Sequence, residues 1–242
     1  MVQIPIKPEL NTLYPDSDGK PMADNTKQYQ WITRLVTNLR HLLKGQTAFV
    51  AGDLLWYPVQ VGKGETAPRQ APDAMVVLGR PDGDRGSYQQ WKEDGIAPQV
   101  VFEIISPGNT MSEMLTKQVF YIQHGVLEAY FYDPDTQEFW GLARENAADA
   151  PNTITLDHLP WTSPLLGIRF EMLEDGLAVF YPDGEPFKTP EELAQERDQL
   201  QGERDELQVK YEQSQAEQDR LRAQMEQMAA QLRAAGLEPD GP

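Results

Sequence analysis

Two acidic residues lie in stretches of sequence that are otherwise apolar. Asp73 precedes AMVVL and Glu103 lies within VVFEIIS, and both stretches are typical of buried β-strands. An ionised carboxylate is costly there unless it is paired, hydrogen-bonded or bound to a cation. If the two strands are neighbours, their carboxylates can converge and form an oxygen site suited to Mg²⁺ or Mn²⁺. A structural explanation stays open: Asp73 begins a strand after Pro72, and Glu103 pairs with a nearby base.

A lysine and two further acids extend this hypothesis. Lys117 lies in the predicted helix that follows the Glu103 strand, so its ammonium can point back toward the carboxylates and stabilise charge on a phosphate. The alternative is an ordinary solvated lysine. Asp53 could add a metal ligand, although the sequence favours a turn aspartate after Gly52. Glu113 could orient the metal ligands without binding the metal itself. Its position is explained equally well by an ordinary charge on a helix surface.

The composition excludes several kinds of chemistry. The 242 residues include no cysteine, which excludes disulfides, thiolate metal sites and a cysteine nucleophile. The histidines, at 41, 124 and 158, are too widely spaced to form a metal-binding pair of the H-E-x-x-H kind. A net charge of −17 argues against a broad, non-specific grip on nucleic acid. Divalent cations between carboxylates and phosphate would remove that objection.

The elements that must position these residues alternate between helical and strand-like patterns. A helical pattern runs over 26–43, with Asp24 or Asn25 as its cap. A second helix, from about Met111 to His124, is predicted to turn four residues toward a core: Met114, Val119, Phe120 and Tyr121. Strand-like runs separated by Gly- and Pro-rich breaks cover 47–61, 71–79, 98–106, 127–134, 136–145, 153–161, 166–173 and 176–184.

The segment between the Asp73 and Glu103 strands carries interleaved basic and aromatic residues. They are Arg80, Arg85, Tyr88, Trp91 and Lys92. Such residues beside a catalytic sheet could contact phosphates and bases. Four acids in the same segment cancel the charge, and a plain lid or insertion is the alternative interpretation.

From Pro190 onward the composition shifts to Glu, Gln, Arg, Leu and Ala. One series of positions recurs every seven residues: Leu193, Leu200, Leu207, Ser214, Leu221 and Met228. A second series fills the alternate core position: Arg197, Arg204, Tyr211, Gln218, Met225 and Leu232. Roughly five to six heptads exceed the three or four that indicate a coiled coil. We predict a two-stranded parallel coil that makes a homodimer; the alternative is a single solvated helix.

The order of the chemical groups resembles that of the PD-(D/E)XK nuclease superfamily, in which an Asp is followed by a Glu on the next strand and then by a Lys. Within it, the spacing is similar to that of the Uma-type family of bacterial restriction endonucleases. The matching residues are Pro72, Asp73, Glu103, Ser106, Pro107, Glu113, Lys117, Tyr121, Gly125, Val126, Glu128, Asp133 and Pro134. The resemblance spans about 24–182.

The resemblance implies a fold, an activity and a cofactor. The fold would be α/β (α+β), a restriction-endonuclease-like core with a central mixed sheet flanked by helices, here followed by a coiled-coil helix. The activity would be Mg²⁺- or Mn²⁺-dependent hydrolysis of DNA, with Asp73, Glu103 and the backbone carbonyl of Ile104 as metal ligands and Lys117 as the catalytic cation. One departure is that Ile105 stands where the superfamily signature has its Lys, so the charged role passes to Lys117.

The resulting domain organisation has four parts. An N-terminal extension covers 1–23, the nuclease-like domain 24–188, the coiled coil 189–236 and a disordered tail 237–242. No signal peptide or membrane span is recognisable, so we expect a cytoplasmic protein without a membrane partner. Two alternatives to an active nuclease stay open: a catalytically silent scaffold of the same fold that acts through its coil, and a mobile-element-associated factor.

Overall fold

The computed structural model describes residues 13–19 and 21–235. Its first helix is α1, Thr26–Leu42. Asn25 caps α1, because its side chain accepts a hydrogen bond from the backbone N–H of Gln28 at 2.9 Å. Apolar residues at helical spacing form the buried face of α1: Ile32, Leu35 and Leu39. The helix and the Asn25 cap agree with the pattern in the sequence.

The described residues form three β-sheets of six, three and two strands. In chain order the strands are β1 (Ala48–Ala51), β2 (Trp56–Tyr57), β3 (Ala74–Leu78), β4 (Tyr88–Gln89), β5 (Val100–Ile104), β6 (Glu128–Asp133), β7 (Glu138–Ala143), β8 (Asn152–Thr155), β9 (Trp161–Thr162), β10 (Arg169–Leu173) and β11 (Gly176–Phe180). The three-stranded sheet has the order β11-β10-β9, and the two-stranded sheet pairs β2 with β4.

The central sheet has the strand order β1-β3-β5-β6-β7-β8. Its strands pair antiparallel except β5 and β6, which run parallel. Helix α2, Met111–Gln123, joins this parallel pair, since a parallel connection must cross back along the sheet. The predicted α/β fold with a central mixed sheet flanked by helices is therefore confirmed.

The two faces of the central sheet carry separate cores. Along β5, Val100 and Phe102 pack in the core that includes α1, β10 and β11, whereas Val101 packs in the core that includes α2. Side chains alternate between the faces of a strand. Glu103 therefore projects on the same face as Val101, toward α2.

Helix α2 begins with a reciprocal cap. The Thr110 hydroxyl accepts the backbone N–H of Glu113 at 3.2 Å, and the Glu113 carboxylate accepts the backbone N–H of Thr110 at 2.8 Å. Met114 and Tyr121 are buried as predicted. The prediction that Val119 faces the core is wrong, because it is 51% exposed. It precedes Tyr121 by two residues, which turns it about 200° away around the helix.

Two runs that the sequence predicts as single strands are interrupted. The run 47–61 forms β1 and β2, and the chain turns between them at Asp53, whose φ is 47°. The run 153–161 forms part of β8 and the first residue of β9, which are separated by a 3₁₀ turn at Leu156–His158. Local turns override strand propensity at both places.

The chain before α1 also packs on the domain. Tyr14 is buried, and its ring lies 5.3 Å from the ring of Tyr57 and 4.8 Å from that of Trp91. The Tyr57 hydroxyl donates a hydrogen bond to the carbonyl of Pro15 at 2.7 Å. Part of the segment predicted as an N-terminal extension thus contributes to the core. Residues 1–12 and the predicted tail at 237–242 lie outside the described residues.

The chain divides into two compact units, one ending at Pro190 and the other beginning at Glu191. The described part of the second unit consists mainly of helix α3, Pro190–Ala234, a single run of 45 residues whose first residue belongs to the first unit. Within the described parts of the chain, no helix combines the length and apolar character that a bilayer crossing requires.

Candidate active site

Acidic side chains lie at or next to the ends of three neighbouring strands, β1, β3 and β5. The antiparallel register pairs Ala74 of β3 with Phe102 of β5, so one residue further it sets Asp73 opposite Glu103. Asp53 follows the end of β1 in the turn, and its backbone N–H donates to the carbonyl of Pro72, the residue before Asp73, at 3.1 Å. Opposed side chains on one face of an antiparallel pair lie about 5 Å apart at Cβ. The condition that the sequence analysis set for a shared site, that the Asp73 and Glu103 strands are neighbours, is therefore met.

Glu103 is buried, and helix α2 supplies partners for both of its oxygens. The Lys117 ammonium lies 2.6 Å from Oε2, and the Tyr121 hydroxyl donates to Oε1. Burial would lower the pKa of Lys117, but the charges of Glu103 and Asp73 outweigh burial and raise it. Burial and the neighbouring Glu103 raise the pKa of Tyr121 well above its usual value. Lys117 is therefore a cation and Tyr121 a neutral donor at neutral pH.

A cavity of about 720 Å³ opens at this edge of the sheet. Among the described residues that line it, six are acidic and one is basic: Asp18, Asp24, Asp53, Asp73, Glu103, Glu113 and Lys117. We call it the acidic cavity. The structure thus brings together the four charged side chains that the sequence analysis assigned to a site, at positions 53, 73, 103 and 117.

Two of these carboxyls have unusual protonation. Burial raises the pKa of Asp73 to about 8, and the nearby charge of Glu103 adds to the effect. Burial and the charge of Asp18 raise the pKa of Asp53 to about 6, although Lys117 opposes the shift. Perturbed acids of this kind cluster at functional sites. At neutral pH Asp73 is therefore mostly protonated, whereas Asp53 is mostly ionised.

The Ile104 carbonyl, which the resemblance implies as a metal ligand, is occupied by another group. The Gln28 side-chain N–H donates to it at 2.8 Å, and the Gln28 amide oxygen accepts the backbone N–H of Asp24 at 2.8 Å. The Ile104 backbone N–H donates in turn to Asp73 at 2.6 Å. Gln28 therefore connects the start of α1 to the end of β5. As an inward-facing amide on a helix that shows only an ordinary amphipathic pattern, it leaves no signal in the sequence.

The donor chemistry of the acidic cavity fits a divalent cation. Its acceptors near the strand ends are carboxylate and carbonyl oxygens, which are the ligands that Mg²⁺ and Mn²⁺ prefer. In the described part of the chain, no group of three or more His, Cys, Asp or Glu side chains is arranged to hold one ion together. Asp73 and Glu103 would thus supply two ligands. Water or substrate oxygens would complete the shell, as Mg²⁺ commonly allows.

Arg80, Arg85 and Tyr88, in the segment between β3 and β5, are engaged in contacts within the protein. Arg80 and Arg85 both bind the Glu93 carboxylate, at 2.9 and 2.8 Å. The two guanidinium groups, Arg85 foremost, lower the pKa of Glu93. The Tyr88 ring is buried, and its hydroxyl donates to the Ile96 carbonyl. These contacts favour the interpretation of this segment as a structural insertion over that of a phosphate-binding loop.

The fold and site define a class of protein before any relative is considered: a mixed α/β domain with an Asp and a Glu opposed at the ends of adjacent strands, beside a lysine on the following helix. Residues 14–179 match the model of the Uma2 family, which is described as "Putative restriction endonuclease". The match covers more than half of the chain, and the chain belongs to this family. The resemblance seen in the sequence is confirmed, and the membership supports a nuclease function.

One solved structure similar to this chain is described as "Crystal structure of a putative nuclease belonging to DUF820 from Anabaena variabilis ATCC 29413 at 1.96 A resolution". It is 17% identical, with a TM-score of 0.44, and the match covers 61% of this chain and 77% of that one. Among curated proteins, no match was found.

Proposed function

We propose that this protein is a metal-dependent endonuclease that hydrolyses DNA phosphodiester bonds in the acidic cavity. The observation that carries the proposal is the cross-strand opposition of Asp73 and Glu103 next to the Lys117 ammonium. Two hard ligands and one cation at a cavity edge are the groups that hydrolysis of a phosphodiester requires.

Each residue has a separate role in this proposal. Asp73 and Glu103 hold the Mg²⁺ or Mn²⁺ ion, with the Ile104 carbonyl and Asp53 as further ligands if their surroundings rearrange. A bound ion would supply Lewis acidity toward the scissile phosphate. Lys117 directs its ammonium at the charge that develops on the phosphate oxygens. Tyr121 fixes the orientation of Glu103 through the hydrogen bond to Oε1.

Because the acidic cavity is negatively charged, DNA can bind there only when cations neutralise that charge. A phosphate that approaches the acidic cavity is repelled, because its acidic side chains outnumber its one ammonium even with Asp73 protonated. Divalent cations reverse that balance, since they neutralise carboxylates and bridge to phosphate. DNA affinity should therefore depend on the divalent ion as strongly as cleavage does.

The second part of the proposal is that the protein acts as a homodimer joined by α3. A duplex has two strands, and two active sites on one dimer can cut both in a single encounter. The apolar row of α3, exposed in the single chain, is the surface that would join the copies.

One observation favours a catalytically silent scaffold as a second candidate. Both oxygens of Glu103 are bonded within the chain, and Gln28 occupies the Ile104 carbonyl. If these contacts persist in the presence of Mn²⁺, the fold serves protein interaction instead of hydrolysis. Metal binding separates the two candidates.

The test is calorimetric titration of Mn²⁺ together with a plasmid nicking assay. We expect the wild type to bind Mn²⁺ and to nick supercoiled DNA, and EDTA to stop the nicking. Asp73→Asn and Glu103→Gln keep the side-chain shapes and should each lower the nicking rate at least about 100-fold, as loss of a metal ligand does.

The matched control is Glu145→Gln, which removes an exposed carboxylate on the loop after β7. It should bind Mn²⁺ and nick like the wild type. Nicking retained by both site variants would disprove the assignment of the site. Absence of Mn²⁺ binding in the wild type would favour the scaffold.

A further inference from the structure

Helix α3 carries a row of large apolar side chains that its own chain leaves uncovered. Leu200, Leu207, Leu221, Met225 and Met228 are between 52% and 72% exposed. No residue of α3 within 190–234 is buried. Leu200, Leu207, Leu221 and Met228 follow a seven-residue repeat and Met225 stands at the alternate core position, which is the pattern of a helix that packs along its length against another helix.

The charged side chains of α3 break this row in its first half. In heptad lettering, the series of Leu193 occupies the d positions and the series of Arg197 the a positions. Arg197 and Arg204 thus stand at a, where a coiled coil normally has apolar residues. Each is preceded directly by a glutamate, Glu196 and Glu203, at the g positions that flank the seam. In the single chain, Arg197 and Arg204 form ion pairs with the adjacent, exposed Asp198 and Asp205.

The direction of a partner helix decides whether these arginines meet acids or methyl groups. In a parallel pair in register, the hole that receives an a residue includes the g residue before it on the partner. Arg197 then lies beside Glu196 of the partner subunit, and Arg204 beside Glu203 of the partner subunit. Each arginine also faces its own copy across the seam, and the flanking glutamates offset that like-charge contact.

An antiparallel pair with full overlap gives the opposite result. An a residue then faces a d residue, so Arg197 would lie against Met228 of the partner subunit and Arg204 against Leu221 of the partner subunit. A guanidinium at an apolar seam without a carboxylate is costly. The charges on α3 therefore complement a parallel second copy and oppose an antiparallel one.

We propose that α3 binds α3 of a second copy as a parallel, in-register two-stranded coiled coil, in which Glu196 and Glu203 of each helix neutralise Arg197 and Arg204 of the other. This inference rests on the proposed homodimer and specifies its partner surface. A third pair supports the same register, because Glu217 at g and Arg222 at e meet across a parallel seam. The parallel direction brings Pro190 of both chains to the same end of the coil.

The experiment uses the absence of cysteine from the 242-residue chain. Leu200→Cys places one thiol at a core position of the parallel coil, directly opposite the same thiol of the second copy. Ala223→Cys places one on the outward face as the matched control. Under mild oxidation we expect the first variant to become a covalent dimer and the second to remain at background, with at least a tenfold difference in cross-linked yield.

An antiparallel coil would give a different pattern. Residue 200 would then face residue 225, so Leu200→Cys would cross-link only when mixed with Met225→Cys; that result, with a dimer mass by light scattering, overturns the parallel direction alone. A monomer mass overturns the homodimer as well. The nicking assay of Asp73→Asn reports on the active site independently of either outcome.

A charge exchange tests the ion pairs. The double variants Arg197→Glu with Arg204→Glu, and Glu196→Arg with Glu203→Arg, should each dimerise at least tenfold more weakly than the wild type. An equimolar mixture of the two should recover dimerisation as a heterodimer. Full-strength dimers of either variant alone would overturn the proposed pairing.

Discussion

Lys117 and a divalent cation would compete for the same oxygen of Glu103. The ammonium lies 2.6 Å from Oε2 and also interacts with Asp73. It therefore already neutralises part of the negative charge that would attract an ion. We therefore expect Lys117→Met to bind Mn²⁺ several-fold more tightly than the wild type, since loss of a nearby positive charge favours a cation. The same variant should nick DNA at least about 100-fold more slowly. Calorimetry and the nicking assay measure the two effects on one sample.

Lys44→Met is the control for this prediction, because Lys44 is an exposed lysine just after α1. It should change neither Mn²⁺ affinity nor nicking. Weaker Mn²⁺ binding by Lys117→Met would mean that the ammonium supports the ion site instead of competing with the ion.

Asp73 should make the metal-free protein less stable as the pH rises. Its pKa in the folded protein is about 8, above the ordinary value of 3.8, mainly because of burial. The folded state therefore holds a proton that the unfolded state releases, and the free energy of unfolding falls between about pH 4 and pH 8. Asp73→Asn removes this carboxyl, so we expect the variant to be more stable than the wild type at pH 9 by a larger margin than at pH 5.

Urea unfolding in EDTA at the two pH values measures that difference. Asp157→Asn, at an exposed aspartate, serves as the control and should track the wild type. Equal margins at pH 5 and pH 9 would show that Asp73 titrates normally. Saturating Mn²⁺ should stabilise the wild type more than Asp73→Asn.

The residues proposed for catalysis could be predicted from the sequence because they are charged residues in otherwise apolar stretches. Glu103 interrupts a run of Val, Phe and Ile, and Asp73 begins another such run, so both required a structural reason. Gln28 could not be found in this way, because a glutamine on an amphipathic helix is ordinary. Its contact with Ile104 depends on how α1 crosses the end of β5, which is a long-range property of the fold.

At the scale of elements, α2 carries both Glu103 partners and is held at its C-terminal end by Arg144. This buried guanidinium donates to the carbonyls of Ile122, Val126 and Ala147, at 2.6, 2.9 and 2.7 Å. A cation at the C-terminus of a helix also complements the helix dipole. Arg144 thus joins the end of α2 to the loop after β7.

Arg144→Met should therefore destabilise the domain by about 3 kcal/mol, because buried carbonyls lose charged donors. Urea unfolding measures the change. Lys63→Met, at an exposed lysine, should leave stability within about 0.5 kcal/mol of the wild type. If the Arg144 variant is equally stable, water replaces the guanidinium at those carbonyls.

The order and type of the longer elements were predictable; their interruptions, and the short strand β4 between β3 and β5, were not. The continuous apolar run of β5 and the apolar spacing of α1 persist over several residues, so each pattern identifies its element. The division of 47–61 at Asp53 depends on one residue with positive φ, and the exposure of Val119 depends on the angular position of α2. Both are set by tertiary packing, which a local pattern does not contain.

At the scale of the whole molecule, the unit that ends at Pro190, which we call the nuclease unit, and helix α3 have different sources of stability. The buried residues of all three core clusters lie before Pro190, and α3 contributes none of them within the described residues. An isolated helix without buried residues gains little from packing. The unit before Pro190 should therefore fold without α3, whereas α3 should need a partner helix.

Deletion of residues 191–242 should yield a folded monomer that nicks plasmid DNA but no longer linearises it in one encounter. The fold survives because the three cores remain, and nicking survives because the acidic cavity is lined by residues between 18 and 117. Linearisation requires two active sites held on one duplex, which raises the effective concentration of the second site to roughly the millimolar range. Thermal unfolding, light scattering and the ratio of linear to nicked plasmid test these statements separately. A truncated chain that is still a dimer would place the main contact in the nuclease unit, and a truncated monomer that still linearises DNA at limiting enzyme would show that the coil serves another purpose.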